Sequence, residues 1–96
     1  MANDYEPKPI PTQHIVLSDD ILELVELLAE NAHDIWAAGR LRDGWTLGPE
    51  RDDARRHHPC LVPYAQLSER DRDYDRTMVT GSIRALLALG YTIGRP

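Results

Sequence analysis

Residues 43–63 hold two glycines and three prolines with no sustained hydrophobic period, and they separate two stretches in which apolar residues recur at helical spacing. A chain built this way folds as two helices joined by a long irregular connection, because glycine and proline at that density stop a helix from running through. Structureless connections of such length are uncommon inside compact domains, and those that occur often carry function. With 96 residues there is room for one domain and one small core, which excludes a multidomain enzyme. Apolar residues make up 42% and charged residues 28%, near the globular average, so the chain is expected to fold.

The first helix is predicted over 18–38. Ser18 is a favoured N-cap, Asp19 and Asp20 suit the positive end of the helix dipole, and Leu17 with Leu22 forms a hydrophobic staple. On a wheel with Leu28 at zero, Ile21, Leu24, Val25, Ala32 and Ile35 fall within about 60° and define the expected core face. Glu23, Glu26, Glu30 and Asp34 lie opposite, as a solvated surface.

The second helix is predicted over 68–89, opened by a capping box of Ser68 and Asp71 and closed by Gly90. Tyr74, Met78, Val79, Ile83, Leu86 and Leu87 give it an apolar face. The charged run from Glu69 to Arg76 mixes attractive and repulsive pairs at three and four residues apart, and reads as a solvated face. Ahead of the first helix, Pro7, Pro9 and Pro11 force residues 1–13 into an extended arm. His14 to Leu17 and Tyr91 to Ile93 have strand character, and offer a small two-stranded pairing of the ends. The expected fold is mainly α: an antiparallel pair of long helices, an ordered loop, an extended arm and that minor β pairing.

The net charge of −5 is uneven. Residues 1–38 carry −7, whereas 39–60 and 61–96 carry +1 each. An acidic first helix repels phosphates, so binding along a nucleic-acid backbone is disfavoured, while a local anion site in the Arg-rich and His-rich middle remains open. The longest apolar run, Ala85 to Leu89, is far below the ~20 residues that span a bilayer. No leader is visible, and Cys60 is the only cysteine, so a cytoplasmic location is expected.

Three groups of residues are candidate sites. His33, Trp36 and Arg40 lie at roughly 140°, 80° and 120° on the same wheel, a stripe at the border of core and solvent. An indole beside an imidazole and a guanidinium suits a planar, partly anionic ligand such as an adenine nucleotide. The plainer reading makes Trp36 a core or dimer anchor, His33 a structural histidine and Arg40 solvated, and Gly39 is placed to end the helix before Arg40. Trp45, between Gly44 and Gly48, either anchors the loop or offers a second stacking surface. Arg55 and Arg56, on one helical turn near Arg51 to Arg56, would contact a bound anion; otherwise the cluster is a solvated loop. His57, His58 and Cys60 match no zinc spacing, and no orienting group or oxyanion element accompanies them, so neither metal binding nor nucleophilic catalysis is expected.

Leu28 to Ala37 with its His33-Asp34-Ile35-Trp36 core, Gly44-Trp45-Thr46-Leu47-Gly48, and His58-Pro59-Cys60-Leu61-Val62-Pro63-Tyr64 together resemble the RyR domain, the repeat named for the ryanodine receptor calcium-release channel. The Pro-rich arm and Leu86 to Tyr91 agree, so the resemblance covers about residues 5–93. It implies a mainly helical, cytoplasmic, non-catalytic module. The chain departs from it in having one repeat where the channel has pairs, Leu47 where many members carry an aromatic residue, and Ser18 where proline is frequent. The tandem pairs imply a homodimer in which His33, Trp36 and Arg40 of each copy line a cleft for a nucleotide-like molecule. A protein-interaction module without a small-molecule ligand is the alternative.

Overall fold

A computed structural model of the chain describes residues 4–96. In chain order the elements are α1 (Asp19–Leu22), α2 (Val25–Arg42), β1 (Thr46–Leu47), β2 (His57–His58), a short 3-10 helix (Tyr64–Gln66) and α3 (Glu69–Ala88). The fold is mainly helical, with α2 and α3 packed antiparallel and a two-stranded sheet beside them. No helix among the described residues is long and apolar enough to cross a membrane.

Helix ends follow local chemistry. The Ser18 hydroxyl accepts the Ile21 N–H at 3.4 Å, and that of Ser68 accepts the Asp71 N–H at 3.1 Å. The first predicted helix is corrected at both ends. It tightens at Glu23 and Leu24, where the Leu24 N–H bonds the carbonyl three residues back at Ile21, so α1 and α2 are separate pieces. No glycine or proline marks that break. At the other end the helix runs through Gly39 to Arg42, because Gly44 takes the left-handed conformation (φ 88°) that terminates it. Gly90 (φ 98°) ends α3 in the same way, and Glu69–Ala88 matches the expected span.

The core is thin. Ala29 of α2, Tyr64 and Leu67 form its buried cluster, with Cys60 and Val62 packed against them, and Leu17 is buried separately. The expected core face is therefore rotated by roughly a quarter turn. Ala29 and His33 are the buried residues of α2, whereas Leu24 and Ile35 are exposed. On α3, Tyr74, Met78 and Leu86 are exposed, against expectation, and Val79, Ile83 and Leu87 are half-buried. The inter-helix contact is polar as well as apolar. Arg76 of α3 pairs with Glu26 of α2 and with Glu69 and Asp73 of its own helix.

The expected strand pairing of the chain ends is also corrected: residues 14–17 and 91–93 form no regular structure. The sheet lies inside the connection, with Thr46 and Leu47 parallel to His57 and His58. Gly48 permits this because a Cβ there would overlap the Cβ of His57 and sit 2.7 Å from its Cγ. A turn over 53–56, closed by reciprocal Asp52 and His57 backbone bonds of 2.9 Å, replaces the expected helical turn. Of the extended arm over 1–13, the first three residues lie outside those described; the remainder is irregular and largely exposed.

Candidate functional site

The termination of α2 builds one wall of the site. Beyond Gly44, the Trp45 N–H bonds the Arg40 carbonyl at 3.0 Å and the Gly44 N–H bonds that of Leu41 at 3.1 Å, the paired closure of a Schellman turn. That closure folds Trp45 back onto Arg40. The guanidinium carbon lies 4.8 Å from the Trp45 ring centroid and 5.8 Å from that of Trp36, so the cation rests between two indoles. Among the described residues the Arg40 guanidinium has no hydrogen-bond partner or ion pair, which leaves its N–H donors unused.

Two histidines brace Trp36. His33 is 3% exposed, and its Nε2–H donates to the Val62 carbonyl at 2.7 Å, tying α2 to the segment ahead of the 3-10 helix. Its ring stacks on Trp36 with centroids 5.6 Å apart. His58, held in β2, meets Trp36 edge-on at 4.9 Å. Its Nδ1 accepts the Cys60 N–H at 3.0 Å, so the ring proton sits on Nε2. Burial, then the nearby Arg40 and Arg51 cations, hold the His58 pKa below the ordinary histidine value. It is therefore neutral at pH 7.

Trp36 forms part of an open cleft of about 190 Å³ between α2 and α3. His33 and His58 share its α2 and loop side with Leu67 and Cys60, and Asp71, Tyr74 and Asp75 of α3 face them. Asp71 accepts the Ser68 hydroxyl on Oδ2 at 2.9 Å, and the Cys60 thiol points at the same oxygen from 3.7 Å. Asp75 has no hydrogen-bond or ion-pair partner among the described residues. Burial raises its pKa, opposed by the His33 ring nearby and reinforced by the Asp71 charge. Burial and then the Asp71 charge also push the Cys60 thiol up, which keeps it protonated and a poor nucleophile at neutral pH. No group of three or more His, Cys, Asp or Glu side chains among the described residues is placed to hold a metal.

His33 and Trp36 thus line the cleft, and Arg40 and Trp45 stand directly behind Trp36. Arg55 and Arg56 are elsewhere. The Arg55 N–H and guanidinium both turn to Asp52, and Arg56, itself in the left-handed region (φ 54°), donates to the Asp43 carbonyl at 3.0 Å. Arg56 pins the loop to the end of α2, and neither residue faces the cleft. Arg51 lies nearer, within electrostatic reach of His58, with its Nε on Asp53 at 2.9 Å. The residues that sequence reasoning missed are Asp71, Tyr74 and Asp75, assigned to a solvated face and a core stripe. The signal was the spacing of Asp71 and Asp75 by four, which sets two like charges on one side of α3.

This arrangement, an indole braced by two imidazoles with His58-Pro59-Cys60 and Tyr64 folded beneath it, uses the same motifs that carry the sequence resemblance. The family model for the RyR domain matches residues 5–95, nearly the whole chain, and the protein belongs to the RyR domain family.

Proposed function

We propose that this RyR domain is a non-catalytic recognition module that binds a nucleotide-like small molecule on Trp36 and works as a homodimer. The observation that carries the reading is the half-exposed indole of Trp36 in an open cleft, with Arg40 unpaired behind it. A cleft of about 190 Å³ is smaller than the roughly 300–1,000 Å³ typical of whole-ligand pockets. It seats a flat ring system and leaves an attached phosphate outside, on the side of Arg40 and Arg51.

Support for a second copy comes from the surface. The chain exposes 7745 Å², against about 5,600 Å² expected for a globular monomer of its mass. Leu24 at the N-cap of α2, Leu27 and Ile35 on α2, and Tyr74 and Met78 on α3 are all exposed. Tyr74 also lines the cleft, so a copy docked there would close over the bound ring. The same apolar side chains favour a second reading, an interaction module that docks another protein and takes no small molecule.

Calorimetry with ATP, ADP and cyclic nucleotides separates the two. Ligand recognition requires heat of binding that Trp36→Ala reduces by about tenfold or more in affinity, as loss of a stacking platform costs about 1–3 kcal/mol. Absence of heat with every nucleotide favours the protein-docking reading. Sedimentation velocity tests the dimer, and a monomer at all concentrations, with and without ligand, would overturn it.

A further inference from the structure

The cleft holds one carboxylate without a partner among the described residues, and a carboxylate is an acceptor. Asp71 is half occupied: its Oδ2 takes the Ser68 hydroxyl and faces the Cys60 thiol. Asp75, one helical turn later on the same side of α3, has no hydrogen-bond or ion-pair partner among the described residues, although Arg76 beside it gathers three carboxylates on another face. The arginines that would neutralise Asp75 are therefore directed elsewhere. An ionised carboxylate accepts and never donates, so whatever sits between Asp75 and Trp36 must present hydrogen-bond donors there. The cation with unused donors, the Arg40 guanidinium, lies behind Trp36. The acceptor inside the cleft and the cation outside it favour one orientation of a ligand: donor edge toward Asp75, anionic group out.

We propose that Asp75 reads the donor edge of a guanine-type base seated on Trp36, its ring N–H and neighbouring amino group each facing one carboxylate oxygen, with the phosphate directed past Arg40. The inference rests on the nucleotide reading of the cleft and narrows it. Adenine fits this edge less well, because it places a ring acceptor beside its amino group, opposite an oxygen that cannot donate. Sites built around such paired donors discriminate strongly against analogues that leave a buried group unmatched. A hypoxanthine base keeps the ring N–H and lacks the amino group, and falls between the two.

Calorimetry with GMP, IMP and AMP on the full chain tests this. The expected order is GMP, then IMP, then AMP, with GMP favoured over AMP by about tenfold or more. Asp75→Asn exchanges one acceptor for a donor, gains a match to the adenine edge and gives up the second acceptor for the guanine amino group, so the preference collapses. Because removing a negative charge strengthens binding of any anion, the GMP-to-AMP ratio is the readout and not either affinity alone. Asp75→Glu keeps the acceptor character, so GMP stays preferred with weaker binding, and a circular-dichroism melt checks that each variant is folded. Heat that depends on Trp36 but shows no base preference, or a ratio unmoved by Asp75→Asn, overturns this inference and spares the nucleotide reading. Failure of all three nucleotides to bind overturns both.

Discussion

The two flanks of α3 treat charge in opposite ways. On one, Arg76 gathers Glu26, Glu69 and Asp73, Arg72 reaches Glu69 at 2.7 Å, and the Tyr64 hydroxyl donates to Glu26 at 3.4 Å. On the other, the Asp75 carboxylate has no hydrogen-bond or ion-pair partner among the described residues, and behind Trp36 neither has the Arg40 guanidinium. The carboxylates respond accordingly. Hydrogen bonds from Arg76 to Glu26, and from Arg72 and Arg76 to Glu69, hold those two below the ordinary glutamate value of 4.5, while burial raises Asp75 above the ordinary aspartate value of 3.8. Residues 75 and 76 are neighbours in sequence, so the difference lies in which face of α3 each occupies. One flank joins the helices through ion pairs, and the other does not.

His33 lies between the two regions, stacked on Trp36 and with its ring 6.3 Å from that of Tyr64, and its removal is the largest expected effect. His33→Ala leaves the Val62 carbonyl without its 2.7 Å donor, opens a cavity beneath Trp36 and removes the stacked ring. A loss of about 2–4 kcal/mol in urea denaturation is expected, together with weaker ligand binding. A variant that lost binding at unchanged stability would show that the two regions are separable at His33. Gly48→Ala comes next. The new methyl collides with His57, so β2 must shift and carry His58 away from Trp36, at a cost of about 1–3 kcal/mol. Quenching of indole fluorescence changes with it, and an unaltered spectrum would mean that the sheet does not set the position of His58.

Helix ends were legible in the sequence because capping is local: Ser18, Ser68 and Gly90 act where their chemistry places them. Gly39 and Gly44 show the limit of that logic, since both are glycines near the end of the first long helix and of the two only Gly44 adopts positive φ. The stripe of His33, Trp36 and Arg40 was readable from spacing alone. The core face was not, because its anchors on α2 are Ala29 and a histidine whose burial depends on Val62, 29 residues away. A wheel weighted by hydrophobicity therefore pointed toward Leu24 and Ile35, which stay exposed. Asp71 and Asp75 were hidden for a related reason. Within a run of alternating charges, helical spacing brings Glu69 and Asp73 to Arg76, but only the placement of α2 sets Asp71 and Asp75 across the cleft from Trp36.

The smallest effects give the cleanest contrast, because paired and unpaired carboxylates depend on pH with opposite signs. Glu26 and Glu69 have native values below their unfolded ones, so their contribution is complete above the ordinary glutamate range and is lost as pH falls through the depressed values. Arg76→Gln removes the main cause at Glu26 and the second at Glu69, where the Arg72 hydrogen bond remains, and the melting temperature of the variant falls below wild type at pH 7 by an amount that shrinks toward pH 3. Asp75 works the other way. Its raised native value means that ionisation costs stability above that value, and the cost is relieved as pH falls through it. Asp75→Asn is therefore expected to melt higher than wild type at pH 7, by on the order of 2 °C, and to converge with it in acid. Melting curves of both variants between pH 3 and 7 are sufficient. A lower melting temperature for Asp75→Asn at neutral pH would mean that the carboxylate stabilises the fold, and its place in the cleft would then need no ligand to explain it. A higher one marks a group kept at the expense of stability, as expected where binding and not folding sets the residue.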